Sequence, residues 1–128
     1  MKKIVIAEDH LLYRETLKQL LTGYEIVGET DHGSKVSSLL EKTKPDLLIL
    51  DLSLPNVSGI AIAKQIKQTH PDVMILVLTI HMTEDYVQEA LKAGVDGYCL
   101  KDEDSGRILS AIERVLDKKN YISPTLVN

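Results

Sequence analysis

Five polar residues stand where short apolar runs stop: Glu8, Asp9, Asp51, Thr79 and Lys101. Glu8 and Asp9 follow Ile4-Val5-Ile6-Ala7. Asp51 follows Leu47-Leu48-Ile49-Leu50. Thr79 follows Met74 to Leu78, and Lys101 follows Gly97 to Leu100. A carboxylate at the end of an apolar run lies close to surroundings in which charge is costly. Asp51 alone reads equally well as a turn residue. As a set the five are chemically complementary. Clustered carboxylates repel one another and raise each other's pKa unless a cation is near. Oxygen-only ligation of this kind suits Mg²⁺, and no histidine or cysteine pair has zinc-ligand spacing. A carboxylate beside such an ion can attack phosphorus and form an aspartyl phosphate. What remains is neutralisation of the phosphoryl oxygens and in-line positioning. Lys101 supplies a point charge, and Thr79 supplies a hydroxyl donor.

Alternating strands and helices must bring these residues to one rim. A second apolar run, Ile26-Val27-Gly28, completes five strands. Three of the five lack polar alternation, as central parallel strands covered on both faces do. Between and after the runs lie apolar stripes at helical spacing. They are Leu12/Leu17/Leu20/Leu21, Val36/Leu39/Leu40, Ile62/Ala63/Ile66, Val87/Ala90/Leu91 and Ile108/Ala111/Ile112/Val115. Thr83 before Glu84 and Asp85 reads as a helix start. Gly94 reads as a C-terminal cap, and Lys44-Pro45 and His70-Pro71 as stops. Strand–helix alternation predicts one α/β domain with a parallel sheet and right-handed crossovers. In such sheets sites form beyond the carboxyl ends of the strands, where strand order reverses.

Bulk composition narrows the function classes. With 128 residues, 44% hydrophobic and 27% charged, the chain is expected to fold as one cored domain. A net charge of −4 disfavours a nucleic-acid grip by this chain itself. The one cysteine, Cys99, excludes an internal disulfide and fits a reducing, cytoplasmic location. Its simplest role is a buried apolar thiol. No run reaches the roughly 18 apolar residues of a membrane span, so no membrane partner is expected. The opening MKKIVIA has only four apolar residues before an acid, too few for a signal peptide.

The motifs AEDH (Ala7 to His10), LLILDLSLPNVSG (Leu47 to Gly59), ILVLTIH (Ile75 to His81), ALKAGVDGYCLKD (Ala90 to Asp102) and ILSAIERVLDKKNYISP (Ile108 to Pro124) together span nearly the whole chain. In them the chain resembles the receiver domain of two-component response regulators. The Asp9-His10 pair, Leu100-Lys101-Asp102 and the Tyr-Ile-Ser-Pro from Tyr121 resemble the NarL/FixJ class. The resemblance implies a flavodoxin-like, doubly wound five-stranded parallel sheet of order 2-1-3-4-5 with five helices. It implies Asp51 as phospho-acceptor, with Lys101 and Thr79 assisting. Mg²⁺ would be held by Glu8, Asp9, Asp51 and the backbone carbonyl of Ser53. Thr79 and Tyr98 would be the switch pair, with Tyr98 turning inward, and Ser53 and His81 would flank the path of attacking water and tune phosphate lifetime.

The implied partners are a sensor histidine kinase and, on phosphorylation, a second copy of the chain. Val115 or Leu116 would join the dimer face if exposed. DNA would be reached only through a C-terminal helix-turn-helix domain outside this chain. The expected division is a receiver over 1–118 and the start of a linker over 119–128. The expected activity is a signalling switch that catalyses its own aspartyl phosphorylation and slow dephosphorylation, not a turnover enzyme. The alternative is a stand-alone receiver or a phosphorylation-independent interaction module.

Two departures from the family pattern stand out. Asp102 replaces the proline that many receivers carry after the lysine, so that peptide is expected trans. Glu8 replaces an aspartate and is longer by one methylene. Two rivals fit less well. A dehalogenase-type phosphatase needs a second aspartate where Ser53 stands. A flavodoxin-like cofactor binder needs a phosphate cradle after the first strand, where Glu8-Asp9-His10-Leu11 would repel one.

Overall fold

The computed structural model describes residues 1–55 and 57–126. Asn56, inside the Pro55 to Gly59 loop, and Val127 and Asn128, at the end of the expected linker, lie outside the described residues. The elements run β1 (Lys3–Ala7), α1 (Leu11–Leu20), β2 (Glu25–Thr30), α2 (Val36–Thr43), β3 (Leu47–Leu50), α3 (Gly59–Thr69), β4 (Met74–Thr79), α4 (Glu84–Ala93), β5 (Gly97–Leu100), α5 (Ser105–Leu116) and β6 (Tyr121–Ile122). Short 3₁₀ turns, Gly33–Lys35 and Pro124–Leu126, precede α2 and follow β6.

All neighbouring strands pair in parallel, in the order β2-β1-β3-β4-β5-β6. The sheet is doubly wound, as expected, but among the described residues it has six strands where five were expected. Tyr121 pairs with Gly97 and Ile122 with Tyr98. This edge strand escapes a search for apolar runs because it is two residues long and is made by backbone pairing. Its attachment is reinforced just beyond. The Ser123 amide donates to the Tyr98 carbonyl at 2.9 Å, and the buried Ser123 hydroxyl donates to the Glu103 carboxylate while accepting from the Leu100 amide at 3.0 Å. Part of the expected linker therefore belongs to the sheet.

The unbroken apolar runs are explained by two core layers, one on each face. Successive side chains of a strand point to opposite faces. Val5, Ala7, Leu48, Leu50, Ile75 and Val77 join α2, α3 and α4 in one layer. Ile4, Ile6, Leu47, Ile49, Leu76 and Leu78 join α1 and α5 in the other. β3 and β5 are buried at every residue, so each peptide finds its partner in a neighbouring strand. Four of the five helix stripes face the core, Leu39 and Leu91 partly so. In α1, Leu17 and Leu21 are buried but Leu12 is 74% exposed, so the stripe starts later than the spacing suggests. Val115 is fully buried and cannot reach a second copy directly.

Local chemistry sets the helix limits near the site. Ser58 caps α3 by accepting from the Ala61 amide, and Asp104 caps α5 by accepting from the Arg107 amide at 2.9 Å. Thr83 occupies the N-cap of α4 with no side-chain cap bond, so Glu84 and Asp85 provide the favourable charge there. Gly94 closes α4 at φ +98°, a left-handed conformation that glycine adopts without a Cβ penalty. No peptide is cis among the described residues, the 101–102 bond included. Among the described residues no helix is long and apolar enough to cross a membrane.

Candidate functional site

β1 and β3 lie side by side at the point where strand order reverses, because the chain leaves β1 outward to β2 and returns to β3 on its other flank. The rim above them collects the residues singled out by sequence. The Asp51 amide donates to the Ala7 carbonyl at 3.0 Å, which extends the β1–β3 ladder by one bond and fixes where the side chain emerges. Asp51 is 3% exposed. Its Oδ1 accepts from the Ser53 amide at 3.0 Å, and its Oδ2 accepts from Lys101 Nζ at 2.9 Å.

Glu8 leaves β1 on the same side and is 2% exposed. Its Oε1 meets Lys101 Nζ at 2.7 Å, and its Oε2 accepts from the His10 amide at 2.9 Å. The backbone around it is pinned twice. Its amide donates to the Thr30 carbonyl at 3.0 Å, and its carbonyl accepts from Arg14 Nη1 at 2.7 Å. Arg14 is held in turn by Glu29 at 2.8 Å. Asp9 is exposed, and Glu8, Asp9 and Asp51 each bring one carboxylate oxygen within 4.8 Å of the others. This is a donor set of oxygens alone, two of them buried, which fits a hard divalent cation and not zinc.

Electrostatics follow from this packing. Burial pushes the Glu8 carboxyl above its ordinary value. Lys101 and the His10 amide oppose that rise, and the Asp51 charge adds to it. Burial alone would lower the Lys101 ammonium, but hydrogen bonds and charge from Glu8 and Asp51 outweigh it and hold it above its ordinary value. Lys101 is therefore a fixed cation at neutral pH, shared between two buried carboxylates.

Thr79 and Tyr98 are fully buried. Neither has a hydrogen bond to Asp51 among the described residues, and His81 links the two. The Thr79 hydroxyl accepts from the His81 amide at 3.3 Å, and the Tyr98 hydroxyl donates to the His81 carbonyl at 2.6 Å. Tyr98 is thus already inward here, and burial pushes its phenol up to about 12. The His81 ring stacks on Tyr86 at 4.3 Å, with 13° between planes, and its Nε2 meets Ser53 Oγ at 2.7 Å. Ser53 and His81 so form a strap beside Asp51.

Strand-end reasoning missed three contributors. Arg14 and Tyr13 reach the site from α1, and Tyr13 places its ring 4.7 Å from Lys101 Nζ. Tyr86 braces His81 from α4. All three come from helices, whose site-facing residues carry no mark in a search that reads only the ends of apolar runs.

A family model described as the response regulator receiver domain matches residues 4–113. The transcriptional regulatory protein DegU of Brevibacillus brevis is 36% identical over 129 residues, covering 98% of this chain and 55% of that protein. A nitrate/nitrite response regulator protein homolog of Haemophilus influenzae is 31% identical, covering 98% of this chain and 62% of its own length. The chain thus spans somewhat over half the length of these curated relatives. A LuxR-family two-component response regulator from Aurantimonas sp. SI85-9A1 superposes with a TM-score of 0.93 at 30% identity, over 98% of this chain and 92% of that one. The isolated receiver domain of RcsB from Salmonella enterica serovar Typhimurium, solved with the phosphomimetic BeF₃⁻, superposes at 0.86 with 26% identity, over 98% and 95%.

Proposed function

The chain belongs to the response regulator receiver domain family, and on that premise we propose that it takes a phosphoryl group from a sensor histidine kinase onto Asp51. The observation that carries this is the placing of Asp51: a nearly buried carboxylate at the switch point of the sheet, between Lys101 and two further carboxylates. A carboxylate oxygen of Asp51 attacks phosphorus. The new P–O bond forms as the P–N bond of the phosphohistidine breaks, and the imidazole leaves with the electron pair and takes up a proton from solvent. Glu8, Asp9, Asp51 and the Ser53 carbonyl would hold Mg²⁺, which when bound neutralises the phosphoryl oxygens and screens the carboxylates from one another. Lys101 pairs with one phosphoryl oxygen, and the Thr79 hydroxyl donates to another.

The switch follows from what Thr79 gives up. Its hydroxyl now accepts from the His81 amide at 3.3 Å, and swinging toward a phosphoryl oxygen to donate its O–H carries the hydroxyl oxygen away from that amide. Turning the hydroxyl loosens the Ile80 to Met82 segment, whose carbonyl at His81 holds Tyr98. Two arrangements of this segment, biased by phosphate, are enough to alter the face of α4 and β5. Ser53 and His81 shield the aspartyl phosphate from water and set its lifetime.

In the full-length protein the altered face drives homodimerisation and controls a DNA-binding output domain, in the cytoplasm. The DegU relative, which is named a transcriptional regulatory protein and of which the match covers 55%, supports this reading. The receiver proper ends near residue 118, and 119–128 begin the connection, with Tyr121 and Ile122 docked on the sheet edge. The test is incubation with Mg²⁺ and acetyl phosphate, read by intact mass. One labile phosphoryl group is expected in the wild type and none in Asp51→Asn. Uptake that survives in Asp51→Asn, or no uptake with a competent donor, defeats the proposal.

A further inference from the structure

Three groups surround the Lys101 ammonium: Glu8 Oε1 at 2.7 Å, Asp51 Oδ2 at 2.9 Å and the Tyr13 ring face, its centroid 4.7 Å from Nζ. The two carboxylates belong to the cluster suited to a hard cation. Any cation they hold competes with the lysine for the same negative charge. The ring does not take part in that competition. Its attraction for an ammonium comes from the quadrupole of its π face, and a neutral ring is no ligand for a hard, oxygen-seeking ion.

Tyr13 is also held independently of the site. It lies in the first turn of α1 and packs against the core layer of Leu17, Cys99 and Ile108. Its phenol oxygen is buried and has no partner among the described residues, so the ring is seated by packing and not by its hydroxyl. Burial, with nearby acidic groups adding to it, pushes the phenol upward, so the ring is uncharged at neutral pH.

We propose that Tyr13 is a positioning residue for phosphoryl transfer, its ring face keeping the Lys101 ammonium at the rim when the carboxylates are engaged elsewhere. This rests on the receiver reading of Asp51 and Lys101. It assigns the effect to the aromatic face, so phenylalanine should serve and an aliphatic side chain of similar bulk should not.

The experiment compares the wild type with Tyr13→Phe, Tyr13→Leu and Tyr13→Met, each first shown to be folded by circular dichroism. Phosphoryl uptake from acetyl phosphate with Mg²⁺ is followed by intact mass. Separately, the Lys101 side-chain resonances are recorded by NMR without any phosphoryl donor. Loss of a partly desolvated cation–π contact should slow uptake about 5- to 30-fold in Tyr13→Leu and Tyr13→Met. Tyr13→Phe should keep a rate close to wild type. The ring-current shift of the Lys101 ε-methylene protons should persist in Tyr13→Phe and vanish in the two aliphatic variants. Wild-type uptake in both aliphatic variants overturns the proposal. So does equal slowing in Tyr13→Phe, which would put the role on the hydroxyl, or a Lys101 signal that no variant moves. A wild type that takes up no phosphoryl group overturns the receiver reading itself, and the wild-type arm tells that apart from failure of the Tyr13 role alone.

Discussion

Removing the Lys101 charge tests the electrostatic account of the site without any phosphoryl chemistry. Lys101→Met keeps most of the side-chain volume and deletes the ammonium that Glu8 and Asp51 share. The side chains of Glu8 and Asp51 are 3% and 4% exposed and that of Lys101 is 13%, so solvent screens the triad weakly. Taking one partner from a buried ion pair costs about 3–5 kcal/mol. The residual exposure of Lys101 favours the low end, about 3 kcal/mol. At this chain length that lowers Tm by about 12 °C, taking roughly 4 °C per kcal/mol.

The loss should also depend on pH in a defined sense. Burial holds the folded-state pKa of Glu8 above the unfolded value, so ionising it in the fold costs stability. That cost is absent below the carboxylate range and present above the folded pKa. Without Lys101 the pKa of Glu8 rises further and the cost grows. Lys101 is itself held above its ordinary value, so in the wild type its contribution is complete at neutral pH and is lost only as pH rises through its folded value. The gap between wild type and variant is therefore widest near neutrality and closes as the carboxylates protonate. Thermal unfolding in metal-free buffer from acid to neutral pH measures it. Adding Mg²⁺ should narrow the neutral-pH gap, because a cation among the three carboxylates replaces the lost charge. A neutral-pH loss well under about 1 kcal/mol, as surface ion pairs give, would refute the reasoning, as would a gap that does not change with pH.

Other perturbations probe the elements that hold the site. A Cβ on Gly59 would lie 2.5 Å from Leu52 Cα and 2.8 Å from its carbonyl oxygen, both backbone. Gly59→Ala should therefore destabilise by about 2 kcal/mol by overpacking and displace the loop after Asp51, seen as lower Tm and slower uptake. Asp104→Ala removes the α5 cap to the Arg107 amide and should cost about 1 kcal/mol in urea unfolding. Burial pushes the Cys99 thiol up to about 12, so iodoacetamide near pH 8 should leave folded protein unlabelled and label it fully in denaturant. Ser123→Ala leaves the buried Glu103 carboxylate and the Leu100 amide each one partner short. A loss of about 1–3 kcal/mol is expected, with faster amide exchange at Tyr121 to Ser123.

Much of the arrangement is legible in the amino-acid sequence because it rests on local, repeating physics. Apolar runs such as Leu47 to Leu50 mark strands buried on both faces. Stripes such as Ile108, Ala111, Ile112 and Val115 mark helices, and the alternation of the two dictates a parallel, doubly wound sheet. That topology alone sends Glu8, Asp9, Asp51, Thr79 and Lys101 to one rim, because each ends a strand on the same side. The sixth strand was not legible. Tyr121 and Ile122 carry no apolar run, and their place depends on a free sheet edge at β5 and on the Glu103–Ser123 contact. Nor was the hydrogen bond that holds Tyr98 inward, made to a carbonyl 17 residues earlier in the chain. The Lys101 triad, the Ser53–His81 strap and the ring of Tyr13 are likewise tertiary. They join residues far apart in sequence through distances and directions that no local pattern encodes. The sequence by itself determined which chemical groups meet at the rim of the sheet, and the packing of α1 and α4 against that sheet decided which of them touch.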